Sequence, residues 1–452
     1  MNIIVAGCGK IGTAILSSLV TEGHDVVAVD NDRSVIEDIT NIYDVMGVNG
    51  NASDYDTLTE AGVNGVDIYI AAMDSDEQNM LSCFLAKKMG AKRTIARIRN
   101  PEYNDNSLGF MRRHLELSMA INPELLTANE LYNVLKFPSA VRIETFSRRN
   151  LEMFEIILPA DCELDGMSLI KMREKYNACV LVCCVQRGDQ VFIPDGTFVL
   201  QAGDKIGLSA SPAEITKLLR SLGVLMKKAK KIMILGGSKI AYYLAHMITT
   251  GASSAKIIEQ DAARCEGLAD ILPETTIIRG NGLQQELLLE EGIDSADAFV
   301  SLTGFDEENI LTAIFASMQK VPKAIAKVNK DELASMAAKI GVECIVSPKD
   351  ITSSVIVKYA RALENAEGSR VETLYKLMDG KAEALEFIVN SESKLTNVPL
   401  KELQIKKGIL IGGIMRGKKT IIPSGNDVIT VDDRVIVISA NERLNDLTDI
   451  LK

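Results

Sequence analysis

Tryptophan is absent from this 452-residue chain, and histidine occurs only as His24, His114 and His246. None of the three stands at motif spacing from an Asp, Ser or Cys, so a histidine-centred triad has no support. A solvated or helix-capping place is expected for each. The eight cysteines, Cys8, Cys83, Cys162, Cys179, Cys183, Cys184, Cys265 and Cys344, never form C-x-x-C. Cys179, Cys183 and Cys184 fall in an apolar run that reads as a strand, where buried reduced thiols are expected rather than a metal site. No uninterrupted apolar run approaches a membrane span. An apolar strand opens at residue 3, so no secretory leader is expected, and a cytosolic protein is. Basic residues are in deficit, 50 Lys and Arg against 61 Asp and Glu, for a net charge of −11. That balance argues against general nucleic-acid binding.

What is present is a chain long enough for three or four domains, rich in Val, Ile, Leu and Ala. Its most informative stretch is Ile3 to Asp30. Ile3-Ile4-Val5-Ala6 reads as a short buried strand, and Gly7, Gly9 and Gly12 follow at G-x-G-x-x-G spacing. Ile11, Ile15, Leu16 and Leu19 then share one helical face. A second apolar run, Val26 to Val29, ends in Asp30, eighteen residues after Gly12. Strand, glycine turn, helix, strand and acid make the dinucleotide fingerprint in its required context. Gly7 permits the tight turn, Gly9 lets backbone approach a pyrophosphate, and Gly12 lets helix and strand pack closely. The helix N-terminus offers free N–H groups to phosphate. Asp30 can accept ribose hydroxyls, and it should repel a 2′-phosphate, so NADP is disfavoured.

Further strands are expected at Asp44–Val48, Val66–Ala72 and Thr94–Ile98, alternating with helices. That alternation predicts a parallel, doubly wound sheet with right-handed crossovers. Ligands lie outside the carboxyl ends of such strands. Gly7 to Gly12, Asp30, Asn51-Ala52, Met73-Asp74 and Arg97 all fall at those ends. Lys10, in the first helical turn, could reach a terminal phosphate, and so could Arg97. A helix from Pro123 to Phe137 follows, then short strands separated by Gly/Asp turns, which predict a small α+β domain. Lys227 to Lys231 reads as a solvated linker rather than a lipid contact.

The chain then starts again. Gly236 follows Gly7, and Glu259 follows Asp30, at the same 229-residue offset. Asn281 answers Asn51, Asp306-Glu307 and Asn309 answer Asp76-Glu77 and Asn79, and Lys327 answers Arg97, all at 230. Pro423-Ser-Gly425 repeats Pro194-Asp-Gly196, so the small domain recurs too. The fold class expected is α/β: two doubly wound Rossmann-like parallel-sheet domains, each followed by a small α+β domain, as a tandem duplication. The boundaries expected are 1–139, 140–226, 227–369 and 370–452. The second turn has Ser238 for Gly9 and Ala241 for Gly12. Serine crowds the pyrophosphate approach, so the second site is either degraded or tuned to a different nucleotide, and the first is expected to bind more tightly. Thr303 supplies a hydroxyl where the first copy has Met73.

This four-part order resembles the family of peripheral subunits of bacterial Trk potassium-uptake systems, each half of which is an RCK (KTN) domain pair. The resemblance rests on Val5-Ala-Gly-Cys-Gly-Lys-Ile-Gly12, Asp76-Glu-x-Asn79, Ala96-Arg-Ile-Arg-Asn-Pro101 and the diverged second copy, and spans essentially the whole chain. It implies a cytosolic homo-oligomer, a dimer or tetrameric ring, docked under a transmembrane Trk-type potassium transporter without inserting into the membrane. It also implies that NAD(H) or ATP/ADP biases the assembly's conformation. Carried over, Gly7, Cys8, Gly9, Lys10, Ile11, Asp30, Met73, Asp74 and Arg97 line the first site. Gly236, Gly237, Ser238, Lys239, Ile240, Glu259, Thr303 and Lys327 line the second. Asn51 departs from the Asp that related domains often carry. Two other readings stand beside it. An NAD-dependent oxidoreductase would need an acid/base beside the nicotinamide, which neither small domain offers. A ligand-free scaffold would not need Asp30 and three intact glycines.

Overall fold

The computed structural model describes the chain except residues 102, 104, 147–150, 177–178, 225–226, 365–369, 379, 418, 441, 443 and 445. Residues 226 and 369, where two of the expected boundaries fall, lie outside the described residues.

In the first copy β1 (Asn2–Ala6), β2 (Asp25–Asp30), β3 (Met46–Asn49), β4 (Ile68–Ala71), β5 (Arg93–Arg97) and β6 (Met119–Ile121) form one sheet. Its order is β3-β2-β1-β4-β5-β6 and its pairings are parallel. The order reverses between β1 and β4, which opens a crevice at their carboxyl ends. β1 and β4 are buried on both faces because helices cover both sides of the sheet, so they read as continuous apolar runs. The small domain contains β7 (Arg142–Phe146), β8 (Leu151–Ile157), β9 (Leu181–Arg187), β10 (Gln190–Phe192) and β11 (Lys205–Ala210), in the order β10-β9-β11-β8-β7. Its pairings are antiparallel.

The second copy repeats both sheets. β12 (Lys231–Leu235), β13 (Ser254–Glu259), β14 (Thr276–Arg279), β15 (Ala298–Ser301), β16 (Lys323–Lys327) and β17 (Cys344–Val346) take the order β14-β13-β12-β15-β16-β17. β18 (Arg370–Leu377), β19 (Ala382–Ile388), β20 (Ile409–Arg416), β21 (Lys419–Ile421) and β22 (Arg434–Ser439) take the order β18-β19-β22-β20-β21. The duplication extends to single bonds. The Arg187 fork grips buried Asp204 at 2.7 Å, and the Arg416 fork grips buried Asp433 at 2.7 and 2.8 Å.

Several expectations change. The pattern predicts five parallel strands, and the structure adds β6, three residues too short to show a period. β7 is also unforeseen, because Arg142 and Glu144 disguise it; they pair at 2.8 Å and Glu144 is buried. Cys179 is exposed and precedes β9, whereas the other seven cysteines are buried. His24 is buried rather than solvated, and its backbone N–H closes the preceding helix on Leu19 O.

By compactness the four parts group like with like. One unit holds both parallel-sheet copies, Met1–Leu131, Lys231–Gln319 and Ala324–Val357. The other holds both small domains, Tyr132–Lys230, Lys320–Lys323 and Lys358–Lys452. Within the first, Asn122 Nδ2 donates to Tyr243 Oη at 3.0 Å, and Tyr243 Oη donates to Arg99 O. Within the second, Met153, Cys183 and Cys184 share a core with Leu377, Met378 and Ile436. Buried Glu155 accepts the Met378 N–H at 2.9 Å there.

Candidate functional site

The three glycines of the first turn have different tasks. Gly7 has φ +86°, and a Cβ on it would stand 2.5 Å from Met73 N. A Cβ on Gly12 would stand 1.8 Å from Gly7 O. Both are needed by the fold itself. Gly9, the N-cap of helix Lys10–Thr21, would place a Cβ with nothing within 4 Å and has no side-chain cap bond. Its smallness serves the space outside.

Asp30 ends β2 and ties the turn down. Its Oδ2 accepts Cys8 N–H at 2.6 Å and its Oδ1 accepts Asp32 N–H at 2.9 Å. Each oxygen keeps a second lone pair for a ribose hydroxyl. Cys8 contributes backbone only. Its thiol is buried, and burial and the Asp30 charge push its pKa up to about 12. Ala52 is likewise a core residue whose carbonyl accepts Ser82 Oγ. Asn51 Oδ1 accepts Ser53 N–H, which leaves its amide donors for a ligand.

Asp76 and Asn79 hold backbone around the rim. Buried Asn79 accepts Met73 N–H at 2.8 Å and donates to Met73 O at 3.0 Å and Arg97 O at 2.9 Å. Asp76 Oδ2 accepts Arg99 and Asn100 N–H. They pin the loop after β4 to the end of β5 and so position Met73, Asp74 and Arg97. Asn309 and Asp306 repeat this on Thr303, Lys327, Asn329 and Lys330.

The Arg97 guanidinium is buried, and desolvation lowers its pKa. Glu124 Oε1 lies 3.6 Å away. Arg97 Nε and Glu124 Oε2 have no hydrogen-bond partner in the protein. A buried donor without an acceptor is costly, and a phosphate oxygen would supply one. With the glycine cradle, this makes the rim fit a nucleotide.

The second rim differs in its parts. Glu259 Oε2 accepts Gly237 N–H at 2.7 Å and Oε1 accepts Asp261 N–H. Glutamate is one methylene longer than Asp30, and residue 237 is glycine where the first copy has Cys8. A Cβ there would come within 3.0 Å of Glu259 Oε2 and 2.6 Å of Leu268 Cδ1. The longer acid thus requires the smaller neighbour. Ser238 has φ −68° and ψ 167°, matching Gly9 at −68° and −168°, and its hydroxyl accepts Ala241 N–H at 3.3 Å. Serine therefore caps the helix without distorting the turn.

A cavity of about 500 Å³ opens here. Gly236, Gly237, Ser238, Glu259, Asn281, Thr303 and Lys327 border it, whereas Lys239 and Ile240 do not. Ile240 is buried in the core, and Lys239 acts instead on Glu77 of the first copy. Arg264, Leu283, Phe305 and Glu308 also border the cavity and were not foreseen. The available signal was Arg264 standing five residues after the rim acid. Lys327 has its pKa lowered first by burial and also by Lys10 of the first copy, against Asp306 and Glu124. The two rims therefore act on each other's charges.

The TrkA-N domain matches residues 3–122 and 232–348, and the TrkA-C domain matches residues 153–223 and 384–452. The chain belongs to the TrkA family. The TrkA-N stretches carry the two rims and the TrkA-C stretches carry the antiparallel sheets. A Trk system potassium uptake protein TrkA homolog of Archaeoglobus fulgidus is 31% identical over 453 residues, all of both chains. The Trk system potassium uptake protein TrkA of Haemophilus influenzae is 28% identical over 98% of this chain and 96% of its own. Among solved structures, the GsuK channel bound to NAD superposes with a TM-score of 0.62 at 16% identity, covering 97% of this chain and 77% of that one. The GsuK RCK domain gives a TM-score of 0.63 at 15% identity, covering 97% of this chain and 92% of that one. These likenesses establish the RCK fold.

Proposed function

We propose that this chain is the cytosolic regulatory subunit of a Trk-type potassium transporter, and that NAD(H) or ATP/ADP at its rims biases the transporter's conformation. The observation carrying the reading is that both strand-end rims are built, each with a tethered carboxylate and a strand-end cation, buried Arg97 in the first and half-buried Lys327 in the second, inside one compact unit. Full-length relatives named for Trk potassium uptake support the partner class. The GsuK structures, one bound to NAD and one bound to ADP, support the ligand class. No described helix is long and apolar enough to cross a membrane, so coupling to ion flow needs a membrane partner.

A nucleotide shifts such a protein only by its differential affinity for two arrangements. Coupling of about 1–3 kcal/mol would change the transporter's active population severalfold. Homo-oligomers fit the surface. Leu81 and Phe110 are exposed on the first copy, and Leu311 and Ile340 are exposed at the matching positions of the second. Apolar groups at repeated surface positions suit burial against further copies. The oxidoreductase alternative finds no histidine at either rim among the described residues. His24 precedes β2 at the end opposite Asp30, His114 stacks on Phe110, and His246 is exposed mid-helix.

The test is potassium flux through the reconstituted transporter. Natural protein should make flux respond to nucleotide, and Asp30→Ala should blunt that response. Flux that is identical with natural protein, variant and no protein, under every nucleotide, rejects the regulator reading.

A further inference from the structure

We propose that the two rims divide the nucleotides, the first taking the dinucleotide NAD(H) and the second an adenosine polyphosphate, ADP or ATP. This deepens the nucleotide reading above and rests on it.

The repeat lets the rims be compared position by position. After β4 stands Asp74, and after β15, at the 230-residue offset, stands Gly304. Asp74 is exposed, and its charge acts on the Arg97 guanidinium. Its loop is fixed: Arg99 donates to the Asp74 carbonyl, and Asn79 holds Met73 on both sides. A dinucleotide on a doubly wound sheet straddles the switch point, one half toward β2 and the other toward β4 and β5. Asp30 serves the first ribose. A carboxylate at the end of β4 is an acceptor for the hydroxyls of a second ribose, which NAD(H) has and ADP and ATP lack. The same carboxylate repels the additional phosphates that a polyphosphate would extend to that side.

Gly304 offers neither the acceptor nor the repulsion. Packing does not dictate the glycine, since a Cβ there meets nothing within 4 Å and its φ is not in the left-handed region. At the other end of the site Arg264 replaces Val35 at the 229-residue offset. Arg264 borders the cavity and its Nε donates to Gly237 O, which orients the guanidinium plane. Exposed Leu283 borders the same cavity, and the guanidinium plane can stack on an adenine ring there. Across the matched positions the first rim sets Asp30 and Asp74 against Arg97. The second sets Glu259 and Glu308 against Arg264 and Lys327. The second rim is one unit more positive, and ADP and ATP bring more phosphate charge than NAD(H). Ser238 adds a donor: its oxygen accepts from Ala241, so its own proton is available to a phosphate.

The deciding measurement is calorimetry on the full chain. Saturation with NADH should leave one ADP site per chain open, and saturation with ADP should leave one NADH site open. Glu259→Ala should leave a site that prefers NADH, and Asp30→Ala a site that prefers ADP. In the Glu259→Ala background, Asp74→Gly should weaken NADH by about tenfold while sparing ADP. In the Asp30→Ala background, Gly304→Asp should weaken ADP. Complete mutual exclusion of NADH and ADP on the natural chain, or an NADH-to-ADP preference that is equal at both sites and unmoved by Asp74→Gly, overturns the division. If the natural chain binds neither, the nucleotide reading itself falls, and the division with it.

Discussion

Gly9 and Gly12 belong to one motif, yet only Gly12 is demanded by packing. Its missing Cβ would overlap the Gly7 carbonyl, whereas a Cβ on Gly9 meets open space. Gly9→Ser should leave unfolding free energy within about 0.5 kcal/mol of the natural chain while weakening nucleotide at the first rim. Gly12→Ala should cost about 1–3 kcal/mol through forced opening of the turn. Denaturant melts paired with calorimetry separate the two effects. If Gly9→Ser leaves affinity and stoichiometry unchanged, the first rim has been misassigned. Lys327 carries a pH dependence. Burial and Lys10 lower its pKa, so it loses its proton at a lower pH than a solvated lysine. The charged form attracts phosphate, so binding at the second rim takes up a proton on the alkaline side and weakens as pH rises through that lowered pKa. Lys327→Arg, which stays charged, should flatten the affinity profile above neutral pH. An unchanged slope would remove Lys327 from the phosphate contact.

The element that aims the first rim is the loop after β4, and Asn79 fixes it by three hydrogen bonds from a fully buried position. Asn79→Ala should destabilise the chain by about 2–4 kcal/mol, because the Met73 N–H and two carbonyls lose their partner. A chemical melt within 0.5 kcal/mol of the natural chain would show that the loop holds without the pin. Elements were legible where a local period and a backbone requirement coincide, as in β1, its glycine turn and the following helix. β6 is too short to show a period, and β7 hides behind Arg142 and Glu144, whose pairing exists only once the sheet forms. The rim acids were legible because their distance from the turn is set by one helix and one strand. Arg264, Phe305 and Glu308 were not, because a charged or apolar residue just past a strand end looks like any surface residue until the cavity closes around it. Cys179 misled for the same reason: local pattern says little about burial near an element's end.

At the scale of the whole molecule, like pairs with like in both compact units. Leu311 and Ile340 are 63% and 60% exposed at positions that repeat Leu81 and Phe110. Leu311→Asp should lower the particle mass in sedimentation without changing the melt, if further copies bury this surface. An unchanged mass would move the oligomer contact elsewhere. The pairing of parallel-sheet copies within a single chain also has a hereditary consequence. Where two identical polypeptides meet, every mutation appears on both sides of the axis at once, and a change useful to one pocket is imposed on the other. Here each half has its own codons. Asp74 could be kept while its counterpart became Gly304, and Cys8 could stay while Gly237 made room for a longer acid. A gene fused to its own copy can specialise one half at a time.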